Sequence, residues 1–160
     1  MSAEQLANLL RERRALEERI AKITGRNADR DDIGRSLASE VFGIAFSGNG
    51  NGTFASGPLA GKRVGVRWYG PKDSSIDTGG EPVDYVLIFR GGEEAWSIAE
   101  VCLFEIAALR ERLLGRGTPP GPVVGVRQTD FEDSRIFPSH ASHLLPLSAE
   151  QRQKLSLFVR

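Results

Sequence analysis

Gly61-Lys62-Arg63-Val64-Gly65-Val66-Arg67-Trp68-Tyr69 alternates apolar with polar or small residues at a period of two. That period marks a β-strand, because successive side chains leave a pleated strand on opposite sides. Val64, Val66 and Trp68 share one side, which is expected to face a core. Arg63, Gly65, Arg67 and Tyr69 share the other, which reads as a basic outer face with Tyr69 as its exposed aromatic.

On the C-terminal side, residues 83–89 form a nearly continuous apolar run rich in β-branched and aromatic residues, as in a central strand. The Gly91-Gly92 pair predicts a hairpin into residues 95–98. Residues 100–114 read as a helix, with Val101, Phe104, Ala108 and Leu113 on its inner side. Thr118-Pro-Pro-Gly-Pro122 breaks the chain, residues 123–126 and 135–137 suit short strands, and Ser148 caps a last helix running to about Val159.

On the N-terminal side, Leu6, Leu9, Leu16, Ile20 and Ile23 recur at helical spacing, with Arg13 interrupting the stripe. Glu18 and Lys22 form a favourable i,i+4 pair, and Gly25 is a fitting stop. Packing of this helix on its own domain is expected ahead of a dimer seam. A charged connector, 26–30, leads to a second helix capped by Asp31 or Asp32 and ended by Gly43. Ile33, Leu37, Val41 and Ile44 lie along its inner face, and Glu40 borders that face. Ser47-Gly-Asn-Gly-Asn-Gly52 reads as a flexible loop. The fold class is therefore α/β: a small mixed central sheet flanked by helices, with an N-terminal amphipathic helix over 1–25 and a single domain over 26–160.

The 160 residues suit one compact domain, and the 21 basic and 21 acidic side chains cancel. No overall field draws the chain to nucleic acid or membrane, so a nucleic-acid site would have to be a local patch. A single cysteine, Cys102, excludes an internal disulfide and a multi-cysteine metal centre within one chain; its apolar neighbours predict an inert core residue. No apolar run is long enough to span a bilayer, and the N-terminus lacks the apolar centre of a signal peptide; a cytoplasmic protein is expected.

Two motifs fall short. Gly57-Pro-Leu-Ala-Gly61-Lys62-Arg63 is one residue short of a phosphate loop between its glycines, lacks Ser or Thr after the lysine, and leads into a strand rather than a helix. His140 and His143 have no patterned third ligand, so Ser-His-Ala-Ser-His reads as a polar loop.

The remaining constellation is Asp32-Ile-Gly-Arg-Ser-Leu-Ala-Ser-Glu40-Val-Phe-Gly43 followed by Gly61-Lys-Arg-Val-Gly-Val-Arg-Trp-Tyr69. In the order of its elements it resembles the PD-(D/E)xK, or restriction-endonuclease-like, superfamily, and is similar to uncharacterised bacterial domains of that type. Val83-Asp84-Tyr85-Val86-Leu87 and the Leu147-Ser148 helix cap agree with it, and the resemblance spans residues 20–157. It implies a restriction-endonuclease-like core in which an acidic helix precedes a strand with an acid-x-lysine pattern. There, carboxylates hold magnesium against the scissile phosphate, and the metal polarises it and helps make hydroxide.

Carried over, the acidic strand position is Gly65 and the lysine position is Arg67, while the turn that should supply an aspartate reads Gly50-Asn51-Gly52-Thr53-Phe54. Glycine cannot ligate a metal, and arginine stays protonated, though it can clamp a phosphate. Glu40 alone survives, and one carboxylate holds magnesium poorly.

Three readings follow. The first is a non-catalytic protein with no cofactor, binding DNA, RNA or a protein partner through Lys62, Arg63, Arg67, Tyr69 and Lys72. The second is a magnesium-dependent nuclease with displaced ligands, Glu40 with Asp84 or Asp77. The third is a homodimer joined through the helix carrying Leu6 to Ile23. Pairing of Glu40 with Arg35 or Arg67 is expected ahead of metal binding, and Asp73, Asp77 and Asp84 are expected to shape turns or cap strands.

Overall fold

The computed structural model describes residues 2–48, 50–78 and 82–159. The first helix, α1, spans Ala3–Thr24. The Ser2 hydroxyl accepts from the Gln5 backbone N–H and the Gln5 side chain accepts from that of Ser2, a reciprocal cap. Gly25 ends the helix in the left-handed conformation, at φ 67°. The second helix, α2, spans Arg30–Phe42 and ends at left-handed Gly43. Its cap is Asp29 rather than Asp31 or Asp32: the Asp29 carboxylate accepts the Asp32 N–H at 2.8 Å. Asp32 is instead buried inside the first turn, where Arg35 meets it at 2.8 Å.

Two short strands follow, β1 (Ile44–Phe46) and β2 (Gly52–Phe54), joined by the glycine-rich segment. Of the expected flexible loop, Asn49 lies outside the described residues, and Gly52 belongs to a strand. Glycine is required there, because a Cβ would collide with the side chains of Ile44 and Phe46 on β1. The chain continues through β3 (Arg63–Tyr69), β4 (Ser75–Asp77), β5 (Tyr85–Gly91), β6 (Ile98–Glu105), α3 (Ile106–Gly115), β7 (Val123–Gly125), α4 (Gln128–Ser134), β8 (Arg135–Phe137) and α5 (Ala149–Ser156).

The main sheet has the order β1-β2-β3-β5-β6-β8, with β3 and β5 parallel and every other pair antiparallel. β4 and β7 make a separate antiparallel pair. The mixed sheet, the flanking helices and the N-terminal helix are those expected of the sequence. The period of two sorts the core into two layers. Val64, Val66 and Trp68 of β3 join Tyr85, Leu87 and Phe89 of β5 beneath α2 and α5. Val86 and Ile88 face the other way and join Ile76, Val124, Leu109 and Phe131, from β4, β7, α3 and α4. All of β5 is buried, which is why its apolar run is unbroken.

One expectation needs correcting. Residues 100–105 are strand, not the start of a helix, and the helix begins only at Ile106. Cross-strand pairing decides it: Leu103 sits opposite Leu87 and Glu100 opposite Arg90. Since both faces of β6 are covered, its apolar residues run on without alternating, and their helical spacing is incidental. Val101 and Phe104 accordingly lie in opposite layers, and Ala108 is exposed. No helix among the described residues is long and apolar enough to cross a membrane.

Candidate functional site

The second face of β3 is covered, not open. Gly65 and Tyr69 pair with Val86 and Arg90 of β5, and Arg67 pairs with Ile88, so all three look into the layer closed by β4 and β7. The Arg67 side chain is only 16% exposed; its Nη1 donates to Val66 O at 2.9 Å, and its Nε lies 3.9 Å from Asp77 Oδ2. Tyr69 is half-buried, and its hydroxyl accepts the Asp77 N–H at 2.8 Å. Burial raises the Tyr69 pKa above the ordinary phenol value, so at neutral pH it remains protonated. The exposed aromatic expected at Tyr69 stands at Trp96 instead, in the turn before β6. Trp68 is in the core, as its alternation requires.

Asn51, just ahead of β2, comes down on the same place. A Cβ on Gly65 would stand 3.3 Å from Asn51 Oδ1 and 3.7 Å from Arg67 Nη1. Asn51, from the turn, thus converges with Gly65 and Arg67. What converges is a carboxamide, a bare backbone and a guanidinium. Such a set can donate hydrogen bonds, and it contains neither a carboxylate ligand nor a group able to take up a proton at neutral pH.

Asp77 stands beside Arg67, and the other surviving acids are engaged elsewhere. Glu40 meets neither Arg35 nor Arg67: Lys154 of α5 holds its Oε1 at 2.9 Å. Glu40 and Glu150 together raise the Lys154 pKa by hydrogen bonding to its ammonium. Asp84 Oδ2 accepts the Arg63 N–H at 2.9 Å, and Asp84 O accepts the Ile106 N–H at 2.9 Å, so this residue ties together the starts of β3, β5 and α3. Asp73 closes a turn by accepting the Gly70 N–H at 2.7 Å. Among the described residues no three of His, Cys, Asp and Glu gather as metal ligands would.

Lys62, Arg63 and Lys72 are exposed, the first two at the start of β3 and the third in the turn after it. His140 fastens its loop, with Nε2 2.9 Å from Leu145 O and Nδ1 3.0 Å from an Arg152 nitrogen, while His143 is exposed. Cys102 is buried, which pushes its thiol pKa far up.

Two buried polar clusters carry no mark in the sequence. Arg90 is 5% exposed, lies 4.0 Å above the Phe131 ring, and bonds Glu100 at 2.6 Å, Gln128 at 3.1 Å and Pro71 O at 2.7 Å. The only available hint was an arginine at the end of an apolar strand. Asp130, wholly buried, accepts from Arg112, Arg116 and the Arg127 N–H. Burial pushes its pKa up, but these donors outweigh it and bring the carboxyl down to about 2. Both clusters brace the second layer.

α1 leaves most of its large apolar side chains uncovered. None of its residues is buried, and Leu6, Leu9, Leu10, Leu16 and Ile23 are between 46% and 83% exposed. The expected packing of this helix on its own domain is confined to its C-terminal part, where Glu17, Ile20, Ala21 and Thr24 are half-buried. Arg13 and Arg14 pair with Glu17 and Glu18 along its length, at 2.8 and 3.1 Å. At its end, Ile23 opens onto a groove lined by Ile33, Leu37, Phe46 and Phe158. Neither a protein-family model nor a curated protein matches the chain.

Proposed function

We propose that the chain is a catalytically silent protein of PD-(D/E)xK type that works as a self-associating interaction module, with α1 as its contact surface. The exposed apolar residues of α1, Leu6, Leu9, Leu10, Leu16 and Ile23, carry this reading. Contiguous exposed apolar surface of that kind marks a place where a partner binds. The convergence of Asn51, Gly65 and Arg67 supports catalytic silence, since magnesium needs several oxygen ligands and none of these three brings a carboxylate. Binding of nucleic acid through the strand face is supported less. Arg67 and Tyr69 are held inward, which leaves Lys62, Arg63 and Lys72 as the exposed cations of that set.

Light scattering on the full chain over a concentration series tests the proposal. The wild type should be dimeric at micromolar concentration, and Leu16→Asp should be a monomer with unchanged circular dichroism. A wild type that stays monomeric at high concentration would overturn the reading. So would a Leu16→Asp protein that unfolds, because α1 would then belong to the core.

A further inference from the structure

We infer that two copies of α1 pair antiparallel, burying their stripes against each other so that the α/β bodies sit at opposite ends. This rests on the reading of α1 as the contact surface and adds the orientation. Leu6, Leu9, Arg13, Leu16, Ile20 and Ile23 follow the alternating three-four spacing of coiled-coil core positions. Glu12 and Arg19 then flank the core on one side, and Leu10 and Glu17 on the other.

The charges separate the two orientations. In a parallel pair, Arg13 meets the partner's Arg13 in one layer, and Glu12 faces the partner's Glu17 on both sides. Each contact is between like charges. In the antiparallel pair all six layers are kept, Arg13 packs its stem on the partner's Leu16, and Glu12 faces the partner's Arg19 twice. Glu17 is already held by Arg13 within its own helix, whereas Glu12 and Arg19 make no ion pair with the described residues. Both are therefore free to meet a partner, and the antiparallel pair brings them together.

Surface continuity points the same way. The antiparallel register sets the partner's Leu6 against Ile23, at the mouth of the groove formed with Ile33, Leu37 and Phe46. The apolar stripe and the groove then become one covered surface. A parallel pair would leave the groove open and crowd both bodies at one end of a helix about 33 Å long, at about 1.5 Å per residue.

Two measurements on the full chain test the orientation. At low ionic strength, sedimentation should show Glu12→Arg weakening the dimer by about tenfold, and Glu12→Arg/Arg19→Glu restoring it to within about twofold. A parallel dimer would instead tighten on Glu12→Arg, since the new arginine would meet the partner's Glu17. Spin labels at Ala3→Cys should lie about 35 Å apart along the axis if antiparallel, given about 1.5 Å per residue, and side by side if parallel. Buried Cys102 will not take the label. A tightened dimer or a short distance overturns the orientation alone. A wild type monomeric throughout overturns both the orientation and the reading beneath it.

Discussion

α2 is 13 residues long and buries six of them; α1 is 22 residues long and buries none. Both helices carry apolar residues at helical spacing, and both are closed by a left-handed glycine. The difference lies in what each one meets. α2 sits on the sheet so closely that a Cβ on Gly34 would touch Val66 and Phe89 at 3.6 and 3.7 Å. α1 ends at Gly25, before the chain turns into α2, and only its C-terminal half, from Arg13 on, lines hollows with residues that follow it. A stripe predicts a helix, but whether the helix is buried depends on whether the chain returns a surface to cover it.

The strongest attempt to break this contrast is to damage both stripes. Leu37→Ala, beneath α2, should lower the unfolding free energy by about 3 kcal/mol through the cavity it leaves. Leu16→Asp, on α1, should change the stability of the dilute monomer by less than about 0.5 kcal/mol. Urea denaturation checks both, and equal losses would erase the distinction between the helices.

A smaller effect sharpens the picture of the body. Asp130→Asn should cost about 2 kcal/mol, because the donors around the buried carboxylate lose their charged acceptor. The sign of its pH dependence follows from the lowered pKa. The folded carboxyl titrates near 2, below its unfolded value near 4, so its stabilisation is present above about pH 4 and is lost as pH falls toward 2. Thermal melts between pH 5 and 2 should show that part of the slope missing in the variant.

The smallest expected effect concerns Glu40. Its partner Lys154 is at the surface, so Glu40→Ala should leave the melting temperature nearly unchanged. With labelled duplex and magnesium, neither wild type nor variant should cleave. Cleavage by the wild type that Glu40→Ala abolishes would return function to the body and away from α1.

Much of the fold could be read from local patterns. β3 occupies the residues its alternation marks, and Gly25 and Gly43 end their helices where expected. Patterns failed where distant pairing outweighed local spacing. Residues 100–105 are spaced like a helix but are held as strand by β5. β1 and β2 are three residues each, and polar α4 has no stripe to announce it.

The site was less legible for the same reason. Alternation put Arg67 and Tyr69 on one face correctly but could not show that β4 and β7 cover it. Nor could spacing show that Glu40 would find a lysine 114 residues away. The convergence of Asn51 on Gly65 is a tertiary fact that no window of the sequence contains.

The pairing of β4 with β7 also sets an order in time. α2 leaves the ribosome before any strand and can cover the first side of the sheet as the strands arrive. Ser75–Asp77 emerges early as well, but its partner Val123–Gly125 comes only after β5, β6 and α3. Until then Ile76 lacks that partner, and the side of the nascent sheet that will hold Arg67 stays open to water. A chain stalled before Val123 would therefore carry α2 over one side of its sheet while the other side still lacked β7 and α4.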